Sequence, residues 1–208
     1  MKGYSITRQE EYDQLNKISL DGKFLDVGGA KSSNYQDLIA GDNSFYTINI
    51  DESLNPDMIV DVERKFPFDD ESFDHAICMN VIEHVFKFDN CVKEQVRCVK
   101  KGGKIIIATP FMFQIHASPD DYIRYTDSAY KRMAEENNCE IEILTPLGFG
   151  FFSVVFQMIG SAIPTNILKN IAKRASITTD KCLNKISNKY RTLTKRIPLG
   201  YFVVMRKK

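Results

Sequence analysis

The sequence predicts an α/β fold with a mostly parallel sheet and helices on both faces. Three observations predict it. Short apolar runs alternate with stretches of helical period, a Gly-Gly turn follows the first run, and polar residues recur just past the ends of the runs. Short runs buried on both sides and joined through helices are the pattern of βαβ units. Ligands in such sheets bind outside the carboxyl ends of the strands, where the strand order reverses.

Thr7 to Leu20 reads as a helix, with Thr7 and Glu10 at capping-box spacing and Tyr12, Leu15 and Ile18 at helical intervals. Lys23 to Val27 is a short apolar run stopped by Gly28-Gly29, a buried strand feeding a tight turn. Tyr35 to Ala40 is predicted helical, and Gly41-Asp42-Asn43 breaks it. Phe45 to Ile50 is a second strand ending at Asp51, and Asp57 to Val60 a third ending at Asp61. Phe73 to Met79 is a fourth, followed by a helix from about Cys91 to Val99. Lys101-Gly102-Gly103 turns the chain into a fifth strand, Lys104 to Thr109, closed by Pro110. Thr126 caps a helix through about Asn137. Glu140 to Leu144 alternates like an edge strand, and Tyr201 to Met205 reads as the last strand.

With 208 residues, 43% hydrophobic and 26% charged, the chain is expected to form a single domain with its own core, residues 1–208. The five cysteines form no CxxC pair, so neither a disulfide framework nor a metal centre is expected, and a reducing, cytoplasmic setting fits. The first twenty residues are polar and charged, so no signal peptide is expected. The net charge of +1 conceals an asymmetry: residues from Pro164 to Lys208 carry +11 and the rest −10. Leu147 to Pro164 is nearly apolar, and residues 147–197 are expected to form a helical, basic insertion before the last strand. Two readings of it stand: a lid over the site, or an interfacial segment whose basic run meets anionic headgroups. RNA ranks behind both, because the basic run lacks interleaved aromatics.

The chemistry starts at FLDVGGAKSS, Phe24 to Ser33, where a strand, a glycine turn and a following helix would bring backbone N–H groups close to a ligand. Gly28 and Gly29 permit the turn and the close approach. Asp51, about twenty residues on at the end of the second strand, is placed to accept both hydroxyls of a ribose. Dinucleotide and nucleoside cofactors share these features, so an NAD-binding oxidoreductase is an alternative at this point.

The stretch DVERKFPFDDESFDHAICMNVIEHV, Asp61 to Val85, resembles the middle motifs of the class I S-adenosylmethionine-dependent methyltransferases, of the small-molecule and glycan type. VKKGGKIIIATP, Val99 to Pro110, and the final GYFVVMRKK continue the resemblance. It implies a Rossmann-like methyltransferase fold with a seven-stranded sheet, and S-adenosylmethionine as cofactor. It assigns Asp26, Gly28, Gly29 and Ala30 to the cofactor's turn, and Asp61 and Val62 to its adenine. Asn80 and Val81 fall near its methionine end, and the Glu83-His84 pair that follows is typical. The glycine turn departs from the family pattern, because Ala30 and Ser32 stand where further glycines are usual.

FQIHASPDDYIRYT, Phe113 to Thr126, resembles the loop after the fifth strand in methyltransferases acting on small hydroxylated acceptors. His116 is the expected general base, since an alcohol must lose a proton as it is methylated. His84, Asp121, Arg124 and Tyr125 are expected to line the acceptor site. The resemblance implies O-methylation of a sugar or other small hydroxylated molecule, in the manner of surface-polysaccharide pathways. A catalytically silent, membrane-tethered binding domain is the remaining alternative.

Overall fold

Runs rich in Ile, Val and Phe can shed water from both faces only inside a sheet that is covered on both sides. The computed structural model, which describes residues 5–208, builds that sheet from seven strands. In chain order the elements are α1 (Ile6–Leu15), β1 (Gly22–Val27), β2 (Asn43–Asn49), β3 (Met58–Ile59), β4 (His75–Met79) and α2 (Phe88–Cys98). There follow β5 (Lys104–Pro110), α3 (Asp127–Glu136), β6 (Cys139–Leu147), α4 (Phe151–Ile159), α5 (Asn166–Ile186), α6 (Asn188–Arg196) and β7 (Gly200–Lys207). The strand order is β3-β2-β1-β4-β5-β7-β6. Strands β1 to β5 pair in parallel, and β7 runs antiparallel to both β5 and β6. This is the mostly parallel, Rossmann-like sheet with helices on both faces that the sequence predicts.

Alternation along the central strands divides the core in two. Ile105 and Ile107 face α2 and α3 through Val92, Val96, Tyr130 and Met133. Ile106 and Ala108 face the other way, towards Leu15, Tyr35, Ile39 and Phe202. Each large aliphatic or aromatic side chain so buried contributes about 1.5–3 kcal/mol. Order reverses between β1 and β4, so a crevice opens past their carboxyl ends.

Three local expectations are corrected. The first helix ends at Leu15 rather than Leu20, and Ser5 is its cap: the Ser5 Oγ accepts from the Arg8 N–H at 3.1 Å. Thr7 is buried, and the Glu10 carboxylate accepts from the Gly148 N–H instead of closing a capping box. Tyr35 to Ala40 is not a helix. It makes one 3₁₀ turn, Gln36–Leu38, because a six-residue stretch bounded by polar residues and Gly41 is too short to repay helix nucleation. Tyr35 and Ile39 are buried there all the same, so their apolar spacing reports a packed turn.

Between β6 and β7 the chain forms α4, α5 and α6 over a small satellite core of Ile6, Val154, Phe156 and Leu199. Gly150, at φ +146°, offers α4 no side-chain cap. Asp180 of α5 supplies it, accepting from the N–H groups of Phe152 at 3.0 Å and Ser153 at 2.7 Å, from the Ser153 hydroxyl, and from the Tyr190 hydroxyl of α6. The single acid of the basic C-terminal stretch is thereby the buried joint of three helices. Among the described residues, no helix is long and apolar enough to cross a membrane.

Candidate active site

The glycine turn is built by exclusion. Gly28 sits at φ +77°, and a Cβ there would fall 2.3 Å from a methyl of Val81, just past β4. A Cβ on Gly29 would fall 2.3 Å from the Asp26 carboxylate beneath it. The turn is pinned from β2, where the Gly28 N–H donates to the Ile48 carbonyl at 2.7 Å and the Asn49 amide donates to the carbonyl of Gly28 at 2.8 Å. Ala30 donates its N–H to the Ser33 Oγ at 3.0 Å, so the turn closes on a serine and not on a helix N-terminus. A cradle that a single Cβ would fill is the geometry that close approach of a nucleoside cofactor requires.

Asp26 is fully buried, and its oxygens accept from the Tyr35 hydroxyl at 2.8 Å and the Gln36 amide at 2.8 Å. Burial pushes its carboxyl up to about 7. Asp51 lies past the end of β2 in solvent. Hydrogen bonds from the Ser53 hydroxyl and N–H hold its carboxyl below the usual range, so it is a charged acceptor at the crevice edge. Asp61, past β3, accepts from the Glu63 N–H at 3.0 Å and from Arg64 at 2.9 Å, and Val62 packs partly into the core. Asn80 takes a left-handed backbone at φ +57°, and its amide donates to the Glu11 carboxylate at 3.0 Å. Glu11, from α1, is fully buried, and burial raises it to about 7.

The second half of the site forms where the loop after β5 is fastened onto the turn Ile82–His84. The N–H groups of Tyr122 and Ile123 donate to the Glu83 carbonyl, and the Tyr125 hydroxyl donates to the Ile82 carbonyl at 2.9 Å. This zipper brings His116 to His84, ring centroids 4.8 Å apart, across a gap of thirty-two positions. Both Nε2 atoms converge on the Glu83 carboxylate, His84 at 3.7 Å and His116 at 3.9 Å from Oε1. Glu83 is 0% exposed, and among the described residues no other residue hydrogen-bonds to either carboxylate oxygen. Burial pushes it up to about 8. Burial and the neighbouring His84 lower the His116 imidazole from its ordinary value.

Two acceptor-site expectations are corrected by burial. Tyr125 is 1% exposed, with its ring in the core against Phe88 and its hydroxyl spent on Ile82, so it has no face to offer an acceptor. Asp121 is enclosed as well. It holds the His116 N–H at 2.9 Å, lies 3.2 Å from His116 Nδ1 and takes a two-point contact from Arg124, which keeps its carboxyl well below the usual range. Asp121 and Arg124 therefore orient His116. His75 is half-buried at the far end of β4, away from the site, and accepts from the Lys104 N–H at 3.0 Å. Glu83 and Glu11 are what the sequence reading left out of the site. Glu83 entered there only as half of the typical Glu83-His84 pair, and the signal for Glu11 is an acid set among residues whose period buries it, one turn before Leu15.

A family model described as a methyltransferase domain matches residues 25–107, which take in the glycine turn, Asp51, Asp61, Asn80, Glu83 and His84 and stop short of His116. No curated protein matches the chain. Among solved structures, an S-adenosylmethionine-dependent methyltransferase from Mesorhizobium loti is 10% identical, with a TM-score of 0.60, covering 98% of each chain. The Haemonchus contortus phosphoethanolamine N-methyltransferase 2, in complex with phosphomonomethylethanolamine and S-adenosylhomocysteine, is 13% identical with a TM-score of 0.60, covering 96% of this chain and 52% of that one. The [4+2]-cyclase SpnF is 16% identical with a TM-score of 0.62, covering 99% of this chain and 84% of that one. Likeness at this distance shows a shared fold, and the cyclase illustrates that this fold also hosts other chemistry.

Proposed function

We propose that this chain is an S-adenosylmethionine-dependent methyltransferase, and that it methylates an oxygen of a sugar or another small hydroxylated acceptor held against His116, His84 and Glu83. The observation that carries this reading is the convergence of two imidazole Nε2 atoms on a buried carboxylate two residues beyond Val81, which itself lies on the glycine turn.

Gly28, Gly29 and Ala30 would hold the cofactor by backbone, over the buried Asp26. Asp51 would take the ribose hydroxyls, Asp61 and Val62 the adenine, and Asn80 and Val81 the methionine end. The bound cofactor supplies a methyl group already activated on a sulfonium, so the protein's part is placement and proton handling. His116 is suited to the latter. Its Nδ1 faces the Gln114 carbonyl and Asp121, and its lowered pKa keeps Nε2 free to accept a hydroxyl proton near neutral pH.

The test is methyl transfer from isotopically labelled S-adenosylmethionine to a panel of sugars, polyols and amines, with products resolved by mass spectrometry. O-methylated products support the reading. Exclusive N-methylation would sink it, and tight NAD binding with no affinity for S-adenosylhomocysteine would sink the family's cofactor here too.

The same reading places the enzyme in the cytoplasm against an anionic membrane surface. Phe151, Phe152, Val155 and Ile159 of α4 and Ile167, Leu168 and Ile171 at the start of α5 are all exposed, next to a basic stretch. Exposed apolar side chains flanked by cations are how a helix lies in a headgroup layer. Each Lys or Arg near such a surface contributes about 1 kcal/mol. Lys173 donates to Gln9 and Lys181 lies over the Phe149 ring, so both also serve the fold. Neutralising the exposed Lys169, Arg174, Lys185 and Lys189 should release the protein from anionic liposomes in a sedimentation assay, with S-adenosylhomocysteine affinity unchanged. Wild-type protein that stays in solution at low salt returns α4 to the role of a lid.

A further inference from the structure

No metal centre is expected from the sequence, because its cysteines form no CxxC pair. The fold assembles one from distant residues. Glu83, His84 and His116 each offer one ligand atom, and the three atoms lie within 4.8 Å of one another. We propose that these three residues bind a divalent transition-metal cation, whose remaining coordination positions take the acceptor's hydroxyl oxygen.

The buried acid is the first ground. Glu83 is fully buried, yet among the described residues no other residue donates a hydrogen bond to either oxygen. A carboxylate desolvated without a partner is destabilised by several kcal/mol, and a dication at the same spot removes that penalty. The second ground is how the imidazoles are held. His84 Nδ1 lies against the Asp120 carbonyl, and His116 Nδ1 against the Gln114 carbonyl at 3.2 Å. A carbonyl can only accept, so each Nδ1 is the donor, and the neutral form of each ring presents its Nε2 lone pair towards Glu83. This outer-shell arrangement fixes the tautomer and aim of metal-binding histidines. Within a coordination shell of about 2.0–2.2 Å radius the ligand atoms stand roughly 3–3.5 Å apart, so small side-chain rotations close this site onto an ion.

Two imidazoles and one carboxylate suit cations from Mn²⁺ to Zn²⁺, whereas Mg²⁺ and Ca²⁺ favour all-oxygen shells. Three protein ligands leave positions open for substrate. A hydroxyl bound there loses its proton nearer neutral pH. The oxygen then forms its bond to the methyl carbon, the carbon–sulfur bond breaks with its electron pair going to sulfur, and the hydroxyl proton passes to water. His116 acts as a ligand in this arrangement, and the acceptor would present a hydroxyl, with a vicinal second hydroxyl able to chelate. This acceptor role rests on the proposed O-methylation; cation binding does not.

The full chain, freed of metal with a chelator, is titrated with Mn²⁺ and followed by electron paramagnetic resonance, with Zn²⁺ as competitor. One ion per chain is expected, with affinity about 10–100-fold weaker in Glu83→Gln and in His116→Gln. Calorimetry with S-adenosylhomocysteine on the same samples reports folding and the cofactor site separately. Failure of wild type to bind Mn²⁺ or Zn²⁺, or binding untouched by both substitutions in folded protein, overturns the cation site. Loss of the S-adenosylhomocysteine signal alone overturns the cofactor site and leaves the cation site standing. Turnover that is lost to the chelator and restored by Mn²⁺ extends the site to catalysis; turnover indifferent to the chelator overturns the acceptor role and leaves His116 as base.

Discussion

Asp26 and Glu83 are both fully buried carboxylates at the carboxyl edge of the sheet, yet the fold treats them in opposite ways. Asp26 has its acceptors filled by Tyr35 and Gln36, and Gly29 leaves room for it. Glu83 has no donor from another described residue on either oxygen, and two imidazoles stand off at 3.7 and 3.9 Å. A satisfied buried acid holds a turn in shape, whereas an unsatisfied one beside two ring nitrogens is the ground on which the cation site is proposed. Asp51 completes the comparison as an acid outside the core, charged and open to solvent.

The largest effect that can break this contrast is on turnover. His116→Ala should lower it by roughly 10²–10⁴-fold, the worth of a positioned proton acceptor, while S-adenosylhomocysteine affinity is kept. Steady-state kinetics with calorimetry on the same protein would read both, and a large loss of affinity would merge the two halves of the site into one.

Asp26 should act through stability. Its folded pKa of about 7 lies above the ordinary carboxylate value of about 3.9, so between those limits the folded state holds more protons than the unfolded one. Stability from this group is therefore fully present at low pH, falls as pH rises from about 4 to 7, and is level beyond. The shift corresponds to at most about 4 kcal/mol over that window. Urea unfolding of the ligand-free protein at several pH values should show a shallower decline in Asp26→Asn than in wild type. Parallel curves would mean that Asp26 is ionised in the fold and that the contrast with Glu83 is smaller than drawn.

The smallest effect belongs to the exposed acid. Asp51→Ala should weaken S-adenosylhomocysteine binding by about 1.5–3 kcal/mol, the range for hydrogen bonds to a charged group, with no change in unfolding. Unchanged affinity in a folded variant would remove the ribose assignment.

The glycine turn and the acids proposed to hold the cofactor could be picked out in the sequence because their signals are local. Gly28-Gly29 and the acids past β2 and β3 sit next to the runs that form the strands, and a strand end fixes where its next residue lies. The same locality misled at Tyr35 to Ala40, where the apolar spacing was real but the segment was too short for a helix.

Period and turn chemistry act over a few residues, so the sequence by itself determined the strands, the glycine turn and the resemblance that leads to S-adenosylmethionine. It could also single out His116 and His84, though not that they meet. Their meeting depends on backbone hydrogen bonds from Tyr122 and Ile123 to Glu83, and on Tyr125 being buried beneath them. Glu83 without a partner, Glu11 against Asn80 and Asp180 capping α4 are likewise products of chain path. Whether a carboxylate is solvated, satisfied or stranded depends on what the rest of the chain places around it, and only the tertiary structure decides that.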